Sequence, residues 1–183
     1  MDTFTGQQRK AMIIESMLEA ALQIFTAPVY VYYVPELMKA FLDHFGYQRM
    51  AHQPRKEMFH KQVLIISTAA GAGTRSALRD LKDSMTFWGI SHIYTFGRNV
   101  YGSDWDTVAG KRKAKLQKKI DRLSDKIKGK NKLVTPSLKI KTLFYAMRFM
   151  HKQFHFNPAD VNYWESLGWF ERKGHGDSDL LTL

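Results

Sequence analysis

A chain of 183 residues with 44% hydrophobic and 25% charged positions is long enough for one domain with a sizeable core, and too evenly mixed to be disordered or fibrous. It has no cysteine, which excludes disulfides, thiolate metal sites, iron–sulfur ligation and a cysteine nucleophile. The net charge of +11 makes nucleic acid, an anionic surface or a phosphate-bearing ligand plausible partners, but eleven Lys or Arg against Asp121 and Asp125 crowd into residues 111–132, leaving the rest nearly neutral.

Apolar residues Ile13, Ile14, Met17, Leu18 and Ala21 recur at helical spacing and predict an opening helix over 7–21. No run approaches the roughly 20 apolar residues that cross a bilayer. Asp2, Arg9, Lys10, Glu15 and Glu19 leave no signal-peptide core, so the cytoplasm is the expected location. LQIFT at 22–26 predicts a short buried strand. The stretch APVYVYYV then displays Val29, Tyr30, Tyr32 and Tyr33 on a short connection, which core filling would not require. From Pro35 a second helix carries Leu37, Met38, Phe41, Leu42 and Phe45 and stops at Gly46; residues 47–61 look like an irregular surface excursion.

QVLIIST at 62–68 is a nearly continuous apolar run, as a parallel strand covered on both faces requires. AAGAGT follows, then a helix marked by Leu78, Leu81, Met85 and Trp88 and ended by Gly89. A third strand is predicted over 90–96. After the loop GRNVYGSDWD comes a long basic helix over 107–128 with Leu116, Ile120, Leu123 and Ile127 on one face, and a last helix begins near Pro136. This alternation predicts an α/β fold with a parallel sheet, although three strands are few for one. A single domain is expected over 1–170, with a tail at 171–183.

In open parallel sheets, ligands bind beyond the carboxyl ends of the strands. APVYVYYV and AAGAGT each follow a strand and should share that rim, one supplying aromatic stacking area and the other a close backbone approach. A planar heteroaromatic ring fits between two such walls.

TAPVYVYYVPELMKAFLDHF resembles the NADPH-dependent FMN reductase family of flavodoxin-like proteins through Pro28, Val29, Tyr30, Met38, Lys39, Phe41 and Asp43. KQVLIISTAAGAG and DVNYWESLGWF are similar to further family segments. The resemblance implies FMN held with its ring between Pro28, Val29, Tyr30, Val31, Tyr32 and Tyr33 on one side and Ala69, Ala70, Gly71 and Gly73 on the other. It also implies hydride supplied by NAD(P)H, with the flavin rather than a side-chain acid or base carrying the redox chemistry.

The family's usual first strand and its Ser/Thr/Gly phosphate loop have no counterpart upstream of Gln7, so the expected fold is an N-terminally truncated flavodoxin-like sheet with weakened FMN affinity. Pro35 and His44 also depart from the pattern. Without that strand, LQIFT would be an open apolar edge, which predicts a homodimer or a rearranged sheet.

Alternatives from other classes stand beside this reading. The chain could be a non-catalytic dimeric scaffold, or it could bind nucleic acid through the basic helix, which has no aromatic residue for base stacking and also fits a solvated face. AAGAGT lacks the third glycine of a dinucleotide fingerprint, Ser76 standing there, and Arg98 rather than an acid ends the next strand. His151 and His155 stand four apart without a third ligand, so no metal site is expected. Ser67 and Thr68 lack a nucleophile elbow. Trp164 and Trp169 are expected to pin the final segment to the domain.

Overall fold

The computed structural model describes residues 6–101, 105–129, 134–155 and 157–171, so the expected tail falls almost wholly outside the described residues. In chain order the elements are α1 (Gly6–Glu19), β1 (Leu22–Pro28), α2 (Glu36–His44), β2 (Gln62–Ala69), α3 (Thr74–Phe87), β3 (His92–Asn99), α4 (Gly110–Lys128), α5 (Leu138–Phe154) and α6 (Pro158–Ser166). The strands pair in parallel in the order β1-β2-β3. Parallel neighbours require crossover connections, and α2 and α3 supply them. This is the flavodoxin-like α/β architecture with flanking helices.

The register aligns Phe25 with Ile65 and Ile65 with Thr95, and side-chain alternation then sorts the faces. On one face Phe25, Ala27, Val63 and Ile65 are buried against Leu42 and Phe45 around α2 and against Leu81, Met85 and Trp88 around α3. Ile14, Met17 and Leu18 of α1 pack on the same cluster. Each large apolar side chain buried there contributes about 1.5–3 kcal/mol. The opposite face is only partly covered. Ile24, Leu64, Ile66 and Phe96 line a groove of about 470 Å³ with Leu123 and Ile127 of α4, and Ile24 stays 57% exposed.

Residues 47–61 differ from the expected surface excursion. They form two short 3-10 turns, Gly46–Gln48 and Lys56–His60, and bury Gln48, Met50, Met58 and Phe59. Met50 and Phe59 join Ile140, Phe144, Trp164 and Trp169 in a second cluster. There the Trp164 ring stacks on Phe144 with centroids 5.1 Å apart, and its Nε1–H donates to the His52 carbonyl at 2.7 Å. Arg148 donates to the Trp169 and Glu171 carbonyls at 2.7 and 2.8 Å, which fastens the segment after α6. Sequence periodicity did not separate α6 from α5. Asn157 accepts from the Ala159 N–H and Pro158 opens the helix, both ordinary start signals.

Candidate functional site

At the carboxyl end of β1 the ladder continues one residue past the strand, the Val29 N–H donating to the Thr68 carbonyl at 2.8 Å. The chain then reverses. Tyr30 and Tyr33 exchange both backbone hydrogen bonds, at 3.1 and 2.9 Å, and enclose Val31 and Tyr32 with φ of +48° and +68°. Positive φ at both central residues is the type I′ turn, which favours Asn-Gly. A β-branched valine there is strained, by about 1–2 kcal/mol. Nothing in the core compensates, because Val31 is 87% exposed and Tyr30, Tyr32 and Tyr33 are each more than 60% exposed. A strained turn that displays aromatic rings to solvent fits a ligand contact better than a packing role.

The loop after β2 lies beside this turn. Ala69 is buried, Ala70 to Ala72 are exposed, and Gly73 caps α3 with φ of +99°. A Cβ on Gly73 would stand 2.6 Å from Val29 Cγ1 and 3.0 Å from Tyr32 Cα, whereas one on Gly71 would meet nothing within 4 Å. The Ser76 hydroxyl donates to the Tyr32 carbonyl. Thus the sequence-predicted residues Pro28 to Tyr33 and Ala69 to Gly73 share one rim. The loops touch at Gly73 rather than stand apart, so they offer an open shelf of tyrosine rings and small residues. This exposed surface replaces the slot between two walls that the sequence led one to expect.

A third segment that sequence reasoning passed over joins the same rim. The Val100 and Tyr101 N–H groups donate to the Ala69 and Ala70 carbonyls at 2.9 and 3.0 Å. Tyr101 is held at φ of +51° and is 63% exposed, with the Arg112 guanidinium 4.4 Å from its ring centroid. The one available sequence signal was Arg98, a cation at the carboxyl end of a strand.

Other candidates take different places. Trp164 and Trp169 are sealed in the second cluster, as expected of residues that pin the final segment. His151 is buried and His155 is exposed, and among the described residues no group of three His, Asp or Glu side chains converges on a metal position. Burial pushes the His151 imidazole below its ordinary pKa, opposed by the Asp160 carboxylate and the Ala51 backbone, with His52 adding to the lowering. On α4, Leu116 and Ile127 are buried but Ile120 is 44% exposed, so the apolar stripe is incompletely covered.

Residues 4–104 of the chain match the family described as NADPH-dependent FMN reductase. The chain belongs to that family. No individual curated protein matches the sequence. Among solved structures, the chain is similar to the Trp repressor binding protein from Bacillus subtilis, with 23% identity and a TM-score of 0.40, covering 51% of this chain and 60% of that one. It is also similar to an FMN-dependent NADH-azoreductase from Bacillus anthracis str. Ames Ancestor, with 15% identity and a TM-score of 0.46 over 67% of each chain. A third likeness is to a chain in the structure of a thermophilic tryptophan halogenase from Streptomycin violaceusniger, at 18% identity, a TM-score of 0.42 and coverage of 54% and 65%. This flavin reductase family member therefore spans about 60–67% of the length of these solved chains. Among the described residues no helix is long and apolar enough to cross a membrane.

Proposed function

We propose that this chain binds FMN through its ring on the shelf made by Pro28, Val29, Tyr30, Val31, Tyr32 and Tyr33 with Ala69, Ala70, Gly71 and Gly73, and that it serves NAD(P)H-dependent reduction through that flavin. The observation that carries the reading is the strained, exposed Tyr30–Tyr33 turn packed against Gly73, inside the stretch that matches the family. A flavin held by Tyr30, Tyr32, Tyr33 and the Ala69 to Gly73 loop would supply the hydride-transfer chemistry between the nicotinamide and the electron acceptor. The chain's own residues supply stacking area from Tyr30, Tyr32 and Tyr33 and leave backbone groups of Ala70 to Ala72 facing the ring. No carboxylate, histidine or lysine of the shelf is required as acid or base.

The acting unit in this proposal is a cytoplasmic homodimer of one domain spanning 1–170. The dimer reading is supported by β1, which lies at the edge of the sheet and leaves Ile24 exposed over an apolar groove. Open edges and half-covered faces pair with further chains. The direct test of activity follows nicotinamide oxidation at a catalytic level of protein with FMN present. Consumption of NADH or NADPH that depends on both protein and FMN supports the reading, and none at any protein concentration contradicts it.

A further inference from the structure

We propose that the cleft between the end of β3 and the basic side of α4 is a phosphate-binding site, and that it takes the phosphate of the nucleotide whose ring lies on the neighbouring shelf. Only the identity of that nucleotide rests on the flavin reading. The cleft encloses about 500 Å³ and is lined by Arg98, Arg112, Lys115, Lys118, Lys119 and Arg122, with Asn99, Tyr101 and Leu116 completing the wall and no carboxylate among its described lining residues.

A merely solvated basic helix spreads its cations away from the protein. Here Arg112, Lys115, Lys119 and Arg122 recur at spacings of three and four, which places them on one side of α4, and Arg98 faces them from the strand. Like charges gathered in this way repel one another unless an anion joins them. The two guanidinium groups at the inner end are already oriented. Arg112 donates to the Asn99 carbonyl at 3.3 Å and lies over the Tyr101 ring, and Arg98 donates to the Gly97 carbonyl at 2.7 Å. Oriented guanidinium forks suit the bidentate geometry of phosphate, and the lysines add point charge around it.

One residue of the cleft, Tyr101, is hydrogen-bonded to the shelf. Ala70 belongs to the shelf, and its carbonyl holds the N–H of Tyr101, the residue on which Arg112 stacks. Tyr101 keeps a φ of +51° to make both contacts, a strain of the kind that collects at binding sites. Among the described residues of this rim, positive charge is concentrated beyond β3.

The test uses the full chain and titration calorimetry, with inorganic pyrophosphate as the probe of the cleft and FMN and riboflavin as probes of the shelf. Pyrophosphate is expected to bind, and Lys115→Glu/Lys119→Glu is expected to weaken it by at least about tenfold, the range of a lost charge-assisted contact. Lys111→Glu/Lys128→Glu makes the same change in charge outside the cleft and should weaken it by no more than about twofold, as for screened distant charges. Lys115→Gln/Lys119→Gln gives the same reading should the acidic pair fail to fold. FMN should bind at least about tenfold more tightly than riboflavin, and the cleft variants should remove that preference. Competition by pyrophosphate against NADP⁺ but not against FMN would assign the phosphate to the nicotinamide nucleotide instead, within the same site. Riboflavin binding as tightly as FMN would overturn the cleft while leaving the shelf intact. Pyrophosphate binding with no flavin binding at all would sink the flavin reading and the nucleotide assignment while leaving an anion site. Equal losses in the two double-glutamate variants, or displacement of pyrophosphate by duplex DNA with a steep salt dependence, would overturn the proposal in favour of diffuse charge or nucleic-acid contact.

Discussion

Gly73 touches Val29 across the two rim loops, so closely that a Cβ on Gly73 would come within 2.6 Å of Val29 Cγ1. Its φ of +99° requires glycine a second time. Gly73→Ala must therefore push the loops apart, and it should cost about 1–3 kcal/mol in urea unfolding and weaken FMN by about tenfold or more. Gly71→Ala is the control, since its Cβ meets open space. It should stay within about 0.5 kcal/mol of the wild type.

The turn beside Gly73 holds the second test. Val31 carries a φ of +48° with its side chain in solvent, so Val31→Asn relieves strain and loses little packing. Stability should rise by about 1 kcal/mol, or about 2–4 °C in Tm for a chain of this size. A fall in Tm would show that the valine side chain makes a contact worth more than the strain.

His151 makes stability depend on pH in a defined direction. Burial is the largest influence on this imidazole and lowers its pKa from 6.5, so the unfolded chain binds a proton more readily than the folded one. Stability is then fully present above about pH 6.5 and declines as the pH falls through that value towards the depressed folded pKa. The urea midpoint should drop between about pH 7.5 and about pH 5.5, and His151→Leu should flatten that part of the profile. An unchanged profile in the variant would contradict the assignment to His151.

Ile24 bears on the assembly. It stands 57% exposed on the edge strand, above the apolar groove that Ile127 and Phe96 also line. Sedimentation should find the wild type as a dimer and Ile24→Lys shifted to monomer, with little change in folding because the site is open to water. A wild type that sediments as a monomer at all concentrations contradicts the dimer.

The sheet was legible because its signals are local. QVLIIST is apolar on both faces, as a central parallel strand must be, whereas LQIFT reads as a buried strand but β1 buries only Gln23, Phe25 and Ala27 and leaves Ile24 exposed. That Pro28 to Tyr33 and Ala69 to Gly73 share one rim was legible as well, since each follows a strand and parallel strands bring their carboxyl ends together, but their contact at Gly73 in place of a slot was not. Residues 47–61 were not, because Met50 and Phe59 sit among polar neighbours and become core only when α5 and α6 arrive with Phe144 and Trp164. Arg98 and Arg112 were equally hidden. Fourteen positions separate them, and the left-handed turn at Tyr101 that brings the two together has no marker in composition or periodicity.

The central claim is that the tyrosine turn and the alanine–glycine loop together hold a flavin ring. Its most direct measurement is a titration of FMN with the purified chain, read by quenching of flavin fluorescence, alongside Tyr30→Ala and Tyr32→Ala. Saturable quenching by the wild type, with affinity reduced about tenfold or more in a tyrosine variant, is the predicted result. Fluorescence unchanged by the wild type, or identical curves for all three proteins, contradicts it.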